Sequence, residues 1–331
     1  MRKYRWLAVV LLIALVYLAG PHPDKPKYSP ALPVAPADAT DLEQYVAAMD
    51  RAHQIKPDNE ARIVWFDSLR RPTEYSIVYL HGFSASQFEG APTHEHIARQ
   101  FGANLYLARL AEHGIDTSEQ LLNLTTDKYW ESAKDALAVG MRLGRKVILM
   151  GTSTGATNAI QLAAAYPQLV SALILMSPNI AINDPNAWIL NNPWGLQIAR
   201  LVTGGNYRTA SDNRPMYKQY WNYHYRLEAA VNLEEMLETS MVPETFEKVK
   251  QPALLLYYYR DEKNQDDVVK VSAMKKMFSQ IATPAEFKEE HAMPLTGNHV
   301  IASPFKSADA EGVEKVISTF LDKKLKLPRH D

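Results

Sequence analysis

The chain has 331 residues, of which 47% are hydrophobic and 22% are charged, which indicates a globular protein of one large domain or two small ones. Its formal net charge is −1 and no basic patch is interleaved with aromatic residues, which argues against a nucleic-acid partner. It contains no cysteine, which excludes a thiol nucleophile, a disulfide framework and a cysteine-based zinc site.

The N-terminus has the pattern of an export signal. Three basic residues precede an uncharged, mostly apolar run from Trp6 to Gly20, and such a basic flank stays in the cytoplasm while the rest is exported. Tyr17 and Leu18 occupy positions where a cleavage site requires small residues, which favours an uncleaved anchor. Residues 1–20 are therefore predicted to be a signal anchor or signal peptide, with the membrane as partner. The mature chain is expected to be exported, either anchored in the inner membrane or periplasmic.

The segment after this run is rich in proline. Residues 21–38 predict an extended linker, followed by a folded domain over residues 39–331. A helix is expected to begin near Thr40–Asp41. Further elements follow in chain order: apolar runs of strand length at Ile63–Phe66, Ser76–Leu80 and Asn104–Leu110, and helical periodicity at Asp127–Leu143.

The centre of the chain predicts a strand–helix–strand unit. Val147–Met150 is continuously apolar, as is typical of a buried parallel strand, and it leads directly into Gly151–Gly155. Small and apolar residues at helical spacing follow from Ala156 to Ala164, and Val170–Met176 is a second buried run. Such units build an α/β fold with a parallel sheet covered by helices.

Gly151-Thr152-Ser153-Thr154-Gly155 fits the pattern of a nucleophile elbow. Ser153 would lie in a tight turn, where backbone N–H groups and the helix dipole stabilise negative charge. Thr154, the next residue, would supply one N–H of an oxyanion hole. The second N–H should come from the loop after Ser76–Leu80, most simply from Phe83, and His81 is expected to shape that loop.

The base and acid of a serine triad are expected downstream of such an elbow, with the acid before the histidine. His299, in a glycine-containing loop before the last helix, is the predicted base, whereas His291 lies in a charged run typical of a strand end. Asp261 and Asp266 both follow the strand predicted at Pro252–Tyr259. Asp266 is preferred because it opens an acid-x-apolar-apolar run that could pack the loop onto the core, and Asp261 remains the alternative.

Residues 181–250 are dense in tryptophan and tyrosine and show little strand signal, which predicts a mostly helical insertion. Helices are expected again at Ser272–Ile281 and Ala310–Leu321. The pair His94 and His96 would face different sides of a helix and is expected to be a solvated helix start rather than a metal site. No cofactor and no metal site are predicted.

Four pieces of the chain make it resemble the α/β-hydrolase superfamily. They are His81-Gly82-Phe83, Glu112-His113-Gly114, the elbow and Gly297-Asn298-His299, and the resemblance spans roughly residues 60 to 320. Within the superfamily, the chain looks like the carboxylesterase and monoacylglycerol-lipase group, although its elbow departs from the frequent Ser-Met-Gly-Gly form. The resemblance implies an eight-stranded, mostly parallel sheet with a helical lid inserted after the sixth strand, which residues 181–250 fit.

The function predicted from these residues is that of a serine hydrolase. It would cleave carboxylic esters of small or medium acyl groups through an acyl-enzyme intermediate, with a small-molecule ester as its substrate. An acyltransferase or a peptidase using the same triad remains an alternative, because the pocket and lid decide the acceptor and leaving group. A catalytically silent α/β-hydrolase fold serving as a binding module is the alternative from another class. The oligomeric state is not predicted.

Overall fold

The computed structural model describes residues 2–330, and most of its strands belong to one sheet. The strands are β1 (Arg62–Val64), β2 (Thr73–Leu80), β3 (Asn104–Leu107), β4 (Gly144–Thr152), β5 (Val170–Met176), β6 (Tyr207–Thr209), β7 (His224–Arg226), β8 (Ala253–Tyr257), β9 (Tyr259–Asp261), β10 (Asn264–Gln265) and β11 (Lys288–Ala292). Seven of them form the main sheet in the order β1-β3-β2-β4-β5-β8-β11. All neighbours in this sheet are parallel except β1, which runs antiparallel to β3.

Helices cover both faces of the main sheet. The α-helices of the described chain are α1 (Arg2–Leu18), α2 (Ala39–Arg51), α3 (Thr93–Gln100), α4 (Thr126–Leu143), α5 (Thr154–Ala165), α6 (Gly195–Thr203), α7 (Pro215–Tyr220), α8 (Leu227–Ser240), α9 (Pro243–Phe246), α10 (Val271–Gln280) and α11 (Ala310–Lys323). Successive residues of β4 point to opposite faces, as strand geometry requires. Val147 and Leu149 enter the core beneath α4, α5 and α10, and Ile148 and Met150 enter the core beneath α3 and α11. The continuous apolar run predicted as a buried strand is therefore buried on both faces.

The register of the parallel strands brings their carboxyl ends to one edge. Leu80 at the end of β2 lies opposite Gly151 in β4, and Thr152 in β4 lies opposite Met176 at the end of β5. Loops that follow the strands of an open parallel sheet meet at this edge, where such sheets place their ligand sites. The residues directly after β2, β4 and β5 are thus neighbours in space.

Several expectations need correction. The main sheet has seven strands within residues 2–330 and not eight, because β1 is only three residues long and no further strand pairs with its outer side. Residues 181–250 are mostly helical as predicted, but they also contain the hairpin β6–β7. Helix α2 begins at Ala39, slightly before the predicted start, and its N-cap is Asp38, whose side chain accepts from two backbone N–H groups.

The N-terminal segments differ from expectation in their contacts. Residues 21–38 contain neither helix nor strand, as predicted for a linker, but they lie against α4. The carboxylate of Asp127 accepts from two backbone N–H groups of this segment, and Lys134 Nζ donates to the carbonyls of Ser29 and Ala31. Among residues 2–330, no helix has both the length and the apolar character needed to cross a membrane.

Candidate active site

Ser153 occupies the turn between β4 and α5, with φ at 52° and ψ at −119°. A positive φ is strained for a residue with a side chain, and a strained strand-to-helix turn is what exposes the hydroxyl of a nucleophile elbow. The turn is close because α5 begins directly against the end of β2. A Cβ placed on Gly155 would lie 1.9 Å from the carbonyl oxygen of Leu80, so that only glycine fits there.

Asp266 and His299 form a buried pair. Nδ1 of His299 lies 2.6 Å from Oδ2 of Asp266, and Asp266 is only 1% exposed. Oδ1 of Asp266 accepts from the backbone N–H groups of Val268 and Val269, at 2.9 and 3.1 Å. The carboxylate therefore fixes the proton of His299 on Nδ1 and leaves Nε2 as the basic nitrogen.

Asp261, the alternative acid, lies elsewhere. Its carboxylate is exposed and accepts hydrogen bonds from the Asn264 side chain and from the backbone N–H groups of Lys263 and Asn264. These bonds close the turn between β9 and β10, which directs Asp261 away from the sheet edge. The structure thus brings Asp266, and not Asp261, to the predicted base.

The electrostatic environment of His299 favours its protonated form. Burial is the largest single effect and lowers the pKa of the imidazole, but the charge and hydrogen bond of Asp266, together with further carboxylates, raise the pKa above its usual value. The carboxylates of Glu89 and Asp267 raise it further. The imidazolium that forms when a base takes a proton is therefore stabilised at this position.

Two serines tie the His299 loop and the elbow to the same sheet edge. Ser153 N donates to Met176 O at 2.8 Å, and the next residue, Ser177, donates through Oγ to the carbonyl oxygen of His299 at 2.8 Å. The predicted nucleophile therefore follows β4, and the loop with the predicted base is tied to the residue after the neighbouring strand β5. No hydrogen bond joins the Ser153 side chain to His299 among the contacts of the described residues, and such bonds are often long before substrate binds.

The loop after β2 carries the predicted oxyanion donor. Gly82 N donates to Oε2 of Glu89 at 2.7 Å, and Ser84 N donates to Nε2 of His113 at 3.0 Å. The N–H of Phe83, between these two, has no protein acceptor in the described part of the chain, and the same holds for the N–H of Thr154. Both N–H groups are thus available to a ligand.

His81 holds the same loop from below. Its Nε2 accepts from the backbone N–H of Leu110 at 3.1 Å, so that Nδ1 carries the proton and donates to the carbonyl of Gly82 at 2.9 Å. Burial lowers the pKa of His81 to about 4, so that the imidazole is neutral at physiological pH. Both ring nitrogens form hydrogen bonds that hold the loop, which is the structural role expected for His81.

Glu89 is a residue of this site that the sequence reasoning missed. It lies in a 3₁₀ turn at Gln87–Gly90 and is only 3% exposed. A Cβ placed on Gly82 would meet both carboxylate oxygens of Glu89 and the Cβ of Ser153 at 3.0 Å each. Burial raises the pKa of Glu89 to about 7. No spacing or motif distinguishes this glutamate from the exposed Glu95, and only the closing of the loops buries it.

An apolar cavity lies beside the loop after β2. It is a small cavity that is open to solvent on one side. Its lining combines this loop with α4 and α8 and consists of Phe83, Leu124, Thr125, Thr126, Tyr129, Asn232, Leu233 and Met236. Because Phe83 contributes both a free N–H and part of the cavity wall, an acyl chain in the cavity would have its carbonyl near the predicted oxyanion donors.

No group of three or more potential metal ligands is arranged around a common point within the part of the chain that the structure describes. The expectation of a solvated helix start at His94 is wrong. His94 is fully buried, its ring lies 4.8 Å from that of Tyr79, and its Nε2 is hydrogen-bonded to the carbonyl of Gln87. His96 is exposed and pairs with Glu314, so that the two histidines face apart as predicted.

Similar solved structures share this fold at low sequence identity. A metagenome-derived lipolytic enzyme of the LipS and LipT pair is 16% identical, with a TM-score of 0.65 over 82% of this chain and 100% of its own. The monoacylglycerol lipase of Paleococcus ferrophilus is 14% identical, with a TM-score of 0.57 over 79% and 97% of the two chains. Est1E of Butyrivibrio proteoclasticus, solved with ferulic acid, is 16% identical, with a TM-score of 0.54 over 81% and 95%.

A comparison with curated protein sequences finds no match. The family model described as "Alpha/beta hydrolase family" matches residues 77–314, which is more than half of the chain and includes the elbow, Asp266 and His299. The parallel sheet, the helices on both of its faces and the strained elbow agree with that match. The chain therefore belongs to the alpha/beta hydrolase family.

Proposed function

We propose that the chain is a serine hydrolase that cleaves carboxylic esters through an acyl-enzyme intermediate. The observation that carries the proposal is the buried Asp266–His299 pair at the same sheet edge as the strained Ser153. A base oriented by a carboxylate, at the same sheet edge as a serine hydroxyl, is the arrangement that activates serine as a nucleophile. Residues 2–330 offer no metal cluster that would support an alternative nucleophile.

In the first half of the reaction, Ser153 Oγ attacks the ester carbonyl carbon while His299 Nε2 takes the hydroxyl proton. The carbonyl oxygen becomes an oxyanion, and the N–H groups of Phe83 and Thr154 donate to it. Collapse of the tetrahedral intermediate breaks the bond to the alcohol, which leaves with the proton from His299. Asp266 keeps the imidazole oriented and stabilises its positive charge throughout.

In the second half, water replaces the alcohol. His299 Nε2 takes a proton from the water as it attacks the acyl carbon, and the same two N–H groups hold the second oxyanion. His299 then returns the proton to Ser153 Oγ as the acid leaves. The cycle consumes one water and regenerates the enzyme without a cofactor.

The proposed substrates are esters of small or medium acyl groups. The cavity beside Phe83 is small and its wall is mostly apolar, which favours a short acyl chain over a long fatty acyl chain. The printed descriptions of the similar structures, a lipolytic enzyme, a monoacylglycerol lipase and a protein with bound ferulic acid, support ester chemistry on this fold.

Other activities of the same machinery are separated by substrate. An acyltransferase would pass the acyl group to an alcohol or amine in preference to water, and a peptidase would accept an amide. A silent binding module would retain the fold without turnover. The available N–H groups of Phe83 and Thr154 favour catalysis over binding alone, since they lie where an oxyanion would form.

A fluorophosphonate probe combined with an ester panel tests the proposal. We expect the wild-type chain to be labelled and to hydrolyse p-nitrophenyl esters of short and medium chain length, and Ser153→Ala to lose both properties. Ser279→Ala, which changes an exposed serine of α10, serves as the matched control and should retain both. Labelling that persists in Ser153→Ala overturns the mechanism, and turnover of amides in preference to esters overturns the substrate class.

The location of the protein is also a proposal, and we propose that it is exported. The support is the basic start of the chain followed by α1, whose apolar side chains, such as Leu11 and Leu15, are more than half exposed. A fusion of residues 1–38 to alkaline phosphatase, which is active only after export, tests it. We expect phosphatase activity, and an inactive fusion overturns the proposal.

A further inference from the structure

Glu89 is placed against both the oxyanion loop and the predicted nucleophile. Its Oε2 accepts the N–H of Gly82 at 2.7 Å, the peptide next to the donor Phe83. Its carboxylate oxygens and the Cβ of Ser153 are each 3.0 Å from the point where a Gly82 side chain would begin. The Glu89 carboxylate is therefore at most about 6 Å from Ser153 Cβ, twice the 3.0 Å that separates each of them from the position of a Gly82 Cβ.

The groups around Glu89 are neutral at physiological pH, apart from the predicted base and its acids. Burial lowers the pKa of His81 and His94 to about 4 and raises the pKa of Tyr79 and Tyr129 well above the usual value. On the packed helix α7, burial raises the pKa of Tyr217 to about 12, and Lys218 Nζ lies over the Tyr223 ring at 5.2 Å. The charged side chain that acts on Glu89 is His299, which is itself paired with Asp266.

We propose that Glu89 is a positioning residue of the site, which holds the His81–Gly82 peptide, and with it the adjoining Phe83 N–H, in place for the oxyanion and stabilises the imidazolium of His299 with its charge. The catalytic part of this inference rests on the ester hydrolysis proposed above. The contact with Gly82 gives the first role, because moving that peptide also moves the Phe83 N–H. The place of the carboxylate beside Ser153, at the sheet edge to which the His299 loop is tied, gives the second role, because an anion nearby favours the protonated imidazole.

Two substitutions separate these roles. Glu89→Gln keeps an oxygen that can accept the Gly82 N–H but removes the charge. Glu89→Leu removes both the acceptor and the charge. The exposed Glu95, six residues later, offers Glu95→Gln as a matched control that removes the same charge outside the site.

The charge role is tested without any substrate. We expect NMR titration of the His299 imidazole, in the Ser153→Ala background, to give a pKa lower by about one unit in Glu89→Gln than in Glu95→Gln. An equal His299 pKa in the two variants overturns the charge role. Because this measurement needs no turnover, it decides the role of Glu89 even if no ester is hydrolysed, in which case the proposed function alone fails.

The positioning role is tested by kinetics on the best p-nitrophenyl ester. We expect Glu89→Leu to lower kcat on the order of 10- to 100-fold with little change in KM, because the oxyanion donor is displaced. Glu89→Gln should restore most of kcat and shift the acid limb of kcat/KM to lower pH by about one unit. Equal kcat in Glu89→Leu and wild type overturns the positioning role. If Glu89→Leu does not fold, the decision falls to Glu89→Gln, where a kcat as low as that of Asp266→Asn overturns it.

Discussion

Asp266 receives the Nδ1–H of His299 on one carboxylate oxygen and two backbone N–H groups on the other. Three donors on one buried carboxylate fix its position, so that the imidazole plane is fixed as well. The pair therefore forms a rigid unit whose free nitrogen, Nε2, is set by the fold before substrate arrives. Much of what we expect of the protein depends on this unit.

The two candidate acids are predicted to differ strongly when neutralised. Asp266→Asn preserves the shape of the pair but favours the wrong tautomer of His299, so we expect kcat to fall by about 10³- to 10⁴-fold. Asp261→Asn affects an exposed turn, and kcat should stay within about twofold of wild type. Initial rates on a p-nitrophenyl ester measure both. If Asp261→Asn is the inactive variant, Asp266 is not the acid.

The acid limb of the pH profile of kcat/KM is predicted to have its midpoint above pH 6.5. His299 acts as a base only when neutral, and its pKa is raised because the surrounding carboxylates, Asp266 foremost, together outweigh burial. Activity should therefore fall as pH drops through a value above the ordinary histidine pKa of about 6.5, with the slope of a single proton. A rate profile from pH 5 to 9 checks this. A midpoint below 6.5 would contradict the assigned environment of His299.

Local pattern and chain order were sufficient to predict the parallel sheet and the elbow. A buried parallel strand reads as a continuous apolar run, and Val147–Met150 has no polar residue to confuse it with a helix. The α/β-hydrolase fold is confirmed by the family match and the sheet topology. The predicted number of strands was wrong because it was taken from the resemblance and not from runs in this chain. The short edge strand β1 itself overlaps a predicted run, Ile63–Phe66.

The details of the site depend on contacts that sequence patterns do not encode. Asp261 and Asp266 follow the same strand, and the β9–β10 turn between them directs one outward and the other inward. Glu89 and Glu95 lie only six residues apart, yet tertiary closure buries the first and leaves the second exposed. The roles predicted for Ser153 and His299 stay predictions, although Ser153 follows β4 and the His299 loop is tied to the residue after the neighbouring strand β5.

The close approach at Gly82 predicts a variant with impaired chemistry and an intact fold. In Gly82→Ala, the new methyl group would meet the Glu89 carboxylate and Ser153 Cβ at 3.0 Å, so that both must shift by a few tenths of an ångström. We expect kcat to fall by about tenfold, with a small change in Tm. Gly205→Ala, which has nothing within 4 Å, is the control and should match wild type. Unchanged kcat in Gly82→Ala would mean that the loop tolerates the shift.

The helix-to-strand contact at Gly155 predicts a variant that fails through stability. A methyl group there would lie 1.9 Å from Leu80 O and 2.6 Å from His81 O, and backbone atoms of a central strand have no room to move. We expect Gly155→Ala to lose more than about 3 kcal/mol of stability, through overpacking at the end of the sheet. Urea denaturation followed by circular dichroism measures this. A midpoint equal to that of Gly205→Ala would contradict the contact.

The buried carboxyl of Glu89 predicts a stability difference that depends on pH. Burial raises its pKa from 4.5 to about 7 in the folded chain, so the folded state binds more protons than the unfolded state between those values. The stability of the folded state is therefore fully retained below pH 4.5, where Glu89 is protonated in both states, and part of it is lost as pH rises through 7. Glu89→Gln should therefore match wild type near pH 4.5 and exceed it above pH 7 by up to about 3 kcal/mol. Urea unfolding at pH 5 and pH 8 measures the difference in the free energy of unfolding between Glu89→Gln and wild type. For the control Glu95→Gln, this difference should be the same at both pH values. If the free energy of unfolding of Glu89→Gln differs from that of wild type by the same amount at both pH values, the Glu89 carboxyl has an ordinary pKa in the folded chain.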